Sequence, residues 1–275
     1  MKTLYVSDLD GTLFNDNGVV SDYTTSTLNK LIADGLNFTI STARLGASLP
    51  LKLGTVDWLF PLSVMQGGSL FDIKTRIYTP LYLFSQNEID EILVTSAGKD
   101  IKMYFFGIVD GLLKVLHTHD SAKISSYFYS KWTNLGVCFE KVDDPKKLLD
   151  YDITYCRGLG YIEDMLSIST EINATESLEA YAFDSNYAHG IFNLGIKGLN
   201  VTKADTISIY REKYCFDKVI GFGDTMNDYP LCTACDEFYV PITGDEELKT
   251  HATGIIESND EDSVVKFLLN RHNQG

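Results

Sequence analysis

Two aspartates separated by a single leucine, Asp8 and Asp10, follow an apolar run near the start of the chain. Carboxylates this close repel one another, and a buried charge without a partner costs far more than one contact returns. Gly11 permits a sharp departure from the extended strand, so both carboxylates can face one cavity. Two hard oxygen donors suit Mg2+, which binds one or two carboxylates, water and a phosphate. The same spacing also occurs in sugar transferases and in aspartates that cap helices or begin turns, so the pair alone leaves these alternatives open.

A second carboxylate at the end of a predicted strand lies far downstream, in the segment VIGFGDTMND. Asp224 follows the apolar strand directly, and Asn227 and Asp228 come three and four residues later. A helix that begins at Asp224 would place Asn227 and Asp228 over it on the same face. An N-cap aspartate with an acidic first turn also explains the two acids. It leaves Gly223 and the recurrence of a carboxylate at a strand end unexplained, so the metal-binding interpretation is favoured.

Three short, mostly apolar segments that run directly into polar residues or glycine predict strands buried on both faces. They are Thr3 to Ser7, Asn37 to Ser41 and Lys218 to Phe222. Between the first two, apolar residues at helical spacing predict a helix over Tyr23 to Asp34. A strand, a helix and a strand in that order imply a right-handed crossover. The predicted fold class is therefore α/β, with a doubly wound, mainly parallel sheet.

The candidate chemical residues all follow predicted strands of this sheet. Asp8 and Asp10 follow the first strand, and Thr42 and Asp224 follow the other two. In sheets of this kind, ligands bind beyond the carboxyl ends of the strands. We therefore expect these residues to meet in one site at that edge.

The middle of the chain, from about residue 84 to residue 189, has a different pattern. Helices predicted over 86–97, 121–135 and 162–172 are interleaved with a hairpin around Asp110-Gly111 and with further strands. This predicts an α+β insert that interrupts the α/β core, which resumes near Gly195. The predicted domains are a discontinuous core, 1–83 with 190–275, and an inserted domain, 84–189.

Length, charge and hydropathy restrict the classes of function. A chain of 275 residues that is 44% hydrophobic can bury a substantial core, and its composition is that of a globular protein. The net charge of −15 argues against nucleic-acid and anionic-membrane partners, because both require basic surface. A small anionic substrate stays possible, since a metal and a lysine can reverse the sign locally. Acidic residues appear too early for a secretory signal, so a cytoplasmic location is expected. The sequence indicates nothing about oligomeric state.

The segments Asp8-Leu9-Asp10-Gly11-Thr12 and Gly223-Asp224-x-x-Asn227-Asp228 together resemble two motifs of the haloacid dehalogenase superfamily of phosphotransferases. The insert is similar, in its position and its α+β character, to the C2-type cap of the Cof-type sugar-phosphatase subfamily. The resemblance extends over essentially the whole chain. It implies a Rossmann-like core domain with an inserted cap domain.

The second motif of the superfamily, a Thr or Ser after an apolar strand, falls on Thr42 in the segment ISTAR. The usual subfamily form is Ala-Thr-Gly-Arg, so Ser41 is an alternative hydroxyl for binding the phosphoryl group. Arg44 closes this segment and is expected to support the site. The third motif, a lysine that opens a core helix, falls on Lys203, with Lys197 as the alternative.

The resemblance implies stepwise phosphoryl transfer with Mg2+ as cofactor and a small phosphorylated metabolite as substrate. Asp8 would attack phosphorus and form an aspartyl-phosphate. Asp10 would donate a proton to the leaving alkoxide and later accept one from the attacking water. Asp10 must therefore begin protonated while Asp8 is ionised, so their surroundings must differ. Mg2+ and Lys203 would stabilise the charge that builds on the phosphoryl oxygens.

The same resemblance gives the remaining residues supporting roles. Asp8, Asp224 and the backbone carbonyl of Asp10 would bind the metal, while Asn227 and Asp228 would orient their neighbours. The expected function is a Mg2+-dependent phosphatase that acts on small phosphorylated metabolites, with sugar phosphates as the expected class. A phosphomutase of the same superfamily and a catalytically silent regulator that binds phosphometabolites are the alternatives.

A further difference from the subfamily is Gln66-Gly67-Gly68, where relatives usually have Asn-Gly.

Overall fold

The structure is a computed structural model, and it describes residues 1–119, 126–184 and 190–274. The chain divides into two compact units, one formed by Met1–Thr75 with Thr202–Gly275 and the other by Arg76–Val201. The boundaries expected from the sequence follow residues 83 and 189, so the two divisions differ at both junctions. The assignment of 84–189 as a cap domain stays a prediction.

The regular elements within the described residues are fourteen strands and eight α-helices. The strands are β1 (Thr3–Ser7), β2 (Asn37–Ile40), β3 (Leu62–Val64), β4 (Ser69–Asp72), β5 (Ile77–Pro80), β6 (Ile101–Val109), β7 (Leu112–His117), β8 (Cys138–Lys141), β9 (Asp152–Gly160), β10 (Leu178–Asp184), β11 (Phe192–Gly198), β12 (Lys218–Phe222), β13 (Glu237–Pro241) and β14 (Gly254–Ile256). The helices are α1 (Asp22–Ala33), α2 (Gln86–Ser96), α3 (Ser126–Thr133), α4 (Ile162–Asn173), α5 (Asp205–Tyr214), α6 (Tyr229–Ala234), α7 (Glu246–Lys249) and α8 (Ser263–His272). Over the part of the chain that the structure describes, no helix is both long enough and apolar enough to span a membrane.

The first unit is built on a five-stranded parallel sheet in the order β14-β13-β12-β1-β2. Its strands are apolar because both faces are covered, and Leu4, Val6 and Phe38 are fully buried. Helices α1 and α8 pack against each other, and α6 packs on β12. The predicted strands over 3–7 and 218–222 agree with β1 and β12, and β2 ends one residue earlier than predicted. The predicted α/β class with an α+β insert is confirmed.

Parallel pairing places the carboxyl ends of β12, β1 and β2 side by side. Ser7, the last residue of β1, is paired with Phe222 on one side and with Ile40 on the other. Strand β3 is added beside β2 through a single parallel bridge between Ser41 and Ser63. Four strands therefore end at one edge of the sheet, and the loops that leave them can share a site.

The second unit contains a six-stranded sheet in the order β10-β11-β9-β6-β7-β8, antiparallel except for the β7–β8 pair. Helix α4 packs against α2 and against β10. Buried residues such as Ile92, Phe105 and Ile168 form the hydrophobic core of this unit. The helix predicted over 121–135 corresponds to α3, and residues 121–125 of that prediction lie outside the described residues.

Strand β11 runs through Gly195 to Gly198, whereas the sequence pattern indicates that the core resumes near Gly195. The glycines are required by neighbouring tyrosines rather than by a turn. A Cβ at Gly195 would lie 2.5 Å from the Tyr155 hydroxyl oxygen, and one at Gly198 would lie 2.5 Å from the Tyr82 ring. In sequence, a glycine that allows a ring to pack against a strand cannot be distinguished from a glycine that ends the strand.

Charged side chains around Glu237 of β13 join this strand to its neighbour β12 and to α8. Arg271 donates two hydrogen bonds to the Glu237 carboxylate, at 2.5 and 2.9 Å, and Lys218 and Tyr239 donate further ones. The Arg271 hydrogen bonds, with those from Lys218 and Tyr239, lower the pKa of Glu237 from its ordinary 4.5 to about 2, although burial opposes the shift. The carboxylate form is therefore preferred more strongly in the folded chain than in the unfolded one.

We expect Glu237→Gln to lower the free energy of unfolding by about 1–2 kcal/mol at pH 7, after allowing for partial exposure. A folded-state pKa that is lowered contributes stability above pH 4.5, and this contribution is lost as the pH falls from 4.5 towards 2. Urea titrations of both proteins between pH 7 and pH 3 should show the difference shrinking as the pH falls. Glu212→Gln, at an exposed position of α5, is the control. A difference that is constant over this range would contradict the assignment.

Candidate active site

Asp8 follows β1 directly, and its carboxylate is buried against Lys203. The Lys203 Nζ atom lies 2.5 Å from Asp8 Oδ1 and 2.5 Å from Asp228 Oδ1. Burial opposes the charge on this lysine, but Asp228 and Asp8 raise the pKa of Lys203 above its ordinary value, so it stays an ammonium. Lys203 is therefore a positive partner for the aspartate at the end of β1. Lys197, the alternative lysine, lies in the second unit and donates to Glu179 and to the carbonyl of Val201.

The segment after β12 turns back on itself instead of entering a helix at once. Thr225 is extended, with φ −122° and ψ 166°, a 3-10 turn covers Met226–Asp228, and α6 begins at Tyr229. No helix begins at Asp224, so the arrangement in which Asn227 and Asp228 would lie over it on one helix face does not occur. Asp228 Oδ2 accepts hydrogen bonds from the backbone N–H groups of Asp224 and Thr225 at 3.0 and 3.3 Å, and Thr225 with Asp228 forms a capping box that begins the 3-10 turn at Met226. These bonds satisfy the donors that a helix start would expose.

The glycines on either side of the acidic residues allow close approach. A Cβ on Gly223 would lie 2.6 Å from the Cβ of Asp228, so the turn requires glycine at this position. Gly11 has φ +72°, and a Cβ there would lie 2.1 Å from Asp224 Oδ2. Glycine at position 223 therefore lets the loop after β12 fold back on itself, and glycine at position 11 lets the loop after β1 contact the loop after β12.

Asp8, Asp224 and Asp228 form an acidic cluster in which one carboxylate oxygen of each residue lies within 4.8 Å of the others. Burial raises the pKa of Asp8 above its ordinary value; Lys203 opposes this shift, and Asp228 and Asp224 add to it. Burial, and then the charge of Asp228, raise the pKa of Asp224 to about 7. Three carboxylates around one ammonium leave surplus negative charge. Since all the donors are hard carboxylate oxygens, a divalent cation such as Mg2+ fits this set.

Asp10 lies outside the acidic cluster and is paired with Arg44. Arg44 donates from Nε to Asp10 Oδ2 at 2.7 Å and from Nη2 to Asp10 Oδ1 at 2.5 Å. The Asp10 side chain is 56% exposed, whereas that of Asp8 is 8% exposed. Two aspartates that are close in sequence thus have different partners and different solvation, because β1 ends at Ser7 and the chain turns through Leu9–Leu13 instead of continuing as an extended strand. The predicted supporting residue Arg44 makes a direct ion pair in the structure.

Thr42 lies in the loop after β2 and is buried. Its Oγ1 accepts a hydrogen bond from the backbone N–H of Arg44 at 3.2 Å. Ser41, the alternative hydroxyl, is also buried and donates to Ser63 Oγ at 3.1 Å. The Ser41 hydroxyl therefore joins β2 to β3, which favours Thr42 as the hydroxyl that faces a ligand.

Two further side chains belong to the site and were given no role by the sequence. Thr12 Oγ1 donates to Asp224 Oδ1 at 3.4 Å. Gln66 and Asn227 exchange hydrogen bonds through their side-chain amides, at 3.2 and 3.4 Å. The signal for Gln66 was present, because the apolar segment before it runs into polar residues as the other three strands do.

The predicted site residues thus fall into three groups by contact. Asp8, Lys203, Asp224 and Asp228 form one network around the lysine. Asp10, Arg44 and Thr42 form a second group through the contacts of Arg44. Asn227 contacts Gln66. The roles of these residues in a reaction stay predictions.

Buried carboxylates around a lysine, at the carboxyl edge of a doubly wound sheet, define an α/β protein with an enzyme-like site. The model of the haloacid dehalogenase-like hydrolase family matches residues 5–268. The 5-amino-6-(5-phospho-D-ribitylamino)uracil phosphatase YitU of Bacillus subtilis (strain 168) is 24% identical over 277 residues, which cover 96% of each chain.

Solved structures show the same fold. A haloacid dehalogenase-like hydrolase from Bacteroides thetaiotaomicron has a TM-score of 0.74 at 18% identity and covers 98% of this chain and 100% of its own. The subclass IIB sugar phosphatase BT4131 has a TM-score of 0.71 at 18% identity, with 99% of both chains covered. Because the family model matches most of its length, the chain belongs to the haloacid dehalogenase-like hydrolases. The predicted resemblance to this superfamily is confirmed, and the chain is an enzyme.

Proposed function

We propose that this enzyme is a Mg2+-dependent phosphatase that hydrolyses small phosphorylated metabolites in the cytoplasm, with sugar phosphates as the expected class. The observation that carries the proposal is the buried contact of Lys203 with both Asp8 and Asp228, beside Asp224. The names of two similar proteins support it, since one is a phosphatase of a phosphoribitylamino compound and the other is a sugar phosphatase.

In the proposed reaction, a carboxylate oxygen of Asp8 attacks phosphorus while the bond from phosphorus to the leaving alkoxide breaks. In the proposed complex with substrate, Asp10 leaves its ion pair with Arg44, takes up a proton and gives this proton to that alkoxide. Water then attacks the aspartyl-phosphate, Asp10 accepts a proton from the water, and the bond between Asp8 and phosphorus breaks to release inorganic phosphate. Lys203 and the hydroxyl of Thr42 bind the phosphoryl oxygens, on which negative charge builds.

The proposed metal ligands are Asp8, Asp224 and the backbone carbonyl of Asp10. Asp228 would orient its neighbours, because its two oxygens already accept from Lys203 and from two backbone N–H groups. When bound, Mg2+ supplies a positive charge that polarises the phosphoryl group and offsets the negative charge of the acidic cluster.

The test is a panel of phosphorylated metabolites, assayed for release of inorganic phosphate with Mg2+ and with a chelator. We expect Mg2+-dependent release from one or more sugar phosphates. Interconversion of sugar phosphate isomers without net release of phosphate would identify a phosphomutase. Binding of a phosphorylated metabolite with neither reaction would identify a regulator and contradict the proposal.

Asp10→Asn should lower kcat/KM by about 100-fold or more on an alkyl phosphate such as a sugar phosphate, because the leaving alkoxide loses its proton donor. The loss should be much smaller on p-nitrophenyl phosphate, whose leaving group needs no proton. The ratio of kcat/KM for the two substrates, measured in the wild type and the variant, is the readout. Equal losses on both substrates would remove Asp10 from leaving-group protonation.

A further inference from the structure

The loop between β3 and β4 contains a strained turn next to the acidic cluster. Met65, Gln66 and Gly67 all have positive φ, at 52°, 60° and 94°. Positive φ is unfavourable for residues with a side chain, and such strain persists only where the surrounding structure imposes it. Met65 and Gln66 are also buried. A buried turn with two strained non-glycine residues in succession calls for a functional explanation.

Backbone contacts of this turn reach two other loops of the site. The N–H of Gln66 donates to the carbonyl of Thr42 at 3.1 Å, and the N–H of Met65 donates to the carbonyl of Arg44 at 3.0 Å. Gly67 packs so closely that a Cβ on it would lie 2.1 Å from the carbonyl oxygen of Thr202, the residue before Lys203. The turn therefore fixes the loop after β2 and the segment that carries the lysine.

The side chain of Gln66 reaches the third loop, the one after β12. Its amide nitrogen donates to Asn227 Oδ1 at 3.2 Å, and Asn227 Nδ2 donates back to Gln66 Oε1 at 3.4 Å. Gln66 is 4% exposed, whereas Asn227 is exposed. The buried amide thus holds a solvent-exposed residue that is directly followed by Asp228.

We propose that Gln66 is a positioning residue, which acts through Asn227 to fix the loop after β12 relative to the loop after β2. This inference rests on the proposed phosphatase function, and it concerns the rate of the chemical step rather than substrate affinity. Gln66 touches none of the proposed reacting atoms. The effect depends on the length of the Gln66 side chain. The strained backbone fixes the position of its Cα atom, and the hydrogen bonds with Asn227 fix the position of its amide group.

Gln66→Asn separates positioning from folding, because asparagine adopts positive φ more readily than glutamine but is one methylene shorter. We expect thermal stability equal to or above that of the wild type. We also expect an unchanged KM and a kcat about tenfold lower, because a tenfold loss is the low end for removal of a supporting contact. The assay is hydrolysis of p-nitrophenyl phosphate with Mg2+. The exchanged pair, Gln66→Asn with Asn227→Gln, restores the combined length of the two amides and should recover kcat to within about threefold of the wild type.

Three results would overturn the inference: wild-type kcat in Gln66→Asn, a loss of kcat matched by a loss of thermal stability, or no recovery in the exchanged pair. Should the wild type release no phosphate, the proposed function fails separately. The free energies of unfolding of the wild type, the two single variants and the exchanged pair then decide the inference. Non-additive values support the coupling of Gln66 with Asn227, and additive values overturn it.

Discussion

Asp8→Asn is expected to reduce phosphate release by at least about 10⁴-fold, because the proposed nucleophile loses its charge while the shape of the side chain is kept. The fold should not suffer. In buffer without divalent cations the free energy of unfolding should be equal or higher, since the change removes one of three crowded carboxylates. Lys203 keeps its contact with Asp228 in the variant. Activity and stability are therefore expected to respond in different directions.

The measurement combines phosphate release with urea unfolding, each with and without Mg2+. Mg2+ should raise the unfolding free energy of the wild type more than that of Asp8→Asn, because a cation is stabilised by each carboxylate that binds it. Asp22→Asn, at an exposed position in the first turn of α1, is the matched control: it should match the wild type in phosphate release and in its response to Mg2+, and lose at most about 1 kcal/mol of stability because an acidic first turn is favourable. Undiminished phosphate release by Asp8→Asn would show that another residue is the nucleophile.

Lys203→Met is expected to lower the free energy of unfolding more than any of the other substitutions proposed for this protein, because it leaves the buried carboxylates of Asp8 and Asp228 without their ammonium partner. The side chains of Lys203 and Asp228 are 2% and 1% exposed, and that of Asp8 is 8% exposed. Removing one partner of such a buried ion pair costs about 3–5 kcal/mol, since the remaining charge is not compensated. Phosphate release should fall by about 100-fold to 1,000-fold as well, through loss of stabilisation of the transition state.

Two comparisons test the reason for this loss. Addition of Asp228→Asn to Lys203→Met should recover part of the stability, because it removes one of the uncompensated charges. Lys197→Met removes another buried lysine, one whose ammonium contacts a single carboxylate, that of Glu179. It should cost less stability and leave phosphate release much closer to that of the wild type. Similar losses of activity in the two lysine variants would reopen the choice between them.

The sequence predicted the parts of this protein that depend on local pattern. Short apolar runs followed by polar residues located β1 and β12 at their observed limits, and helical spacing located α1 to within one residue at each end. Asp8, Thr42 and Asp224 were expected at strand ends and lie there. These predictions succeed because a strand buried on both faces must be apolar throughout, and the residues that follow it meet solvent or ligand.

The sequence was less informative where one contact overrides a local preference. The acids after Asp224 are also compatible with a helix that begins at Asp224, but Thr225 is extended and forms a capping box with Asp228, so a 3-10 turn begins at Met226 and α6 at Tyr229. Gly195 suggested the end of the insert, although it lies in a strand beneath two tyrosines. In both cases a side-chain contact determines the local structure, and the periodicity of apolar residues in the sequence carries no information about that contact.

By itself, the sequence determined the α/β class, the family and the set of residues gathered at the carboxyl edge of the sheet. Only the tertiary structure decided how those residues are paired. Lys203 meets Asp8 across 195 residues of chain, Arg44 takes Asp10 away from the acidic cluster, and Gln66 reaches Asn227 from a strained turn. The physical reason is that these pairings depend on the spacing of neighbouring strands and on a backbone conformation that is locally unfavourable. Both are imposed by packing of the whole unit, so no local pattern in the chain specifies them.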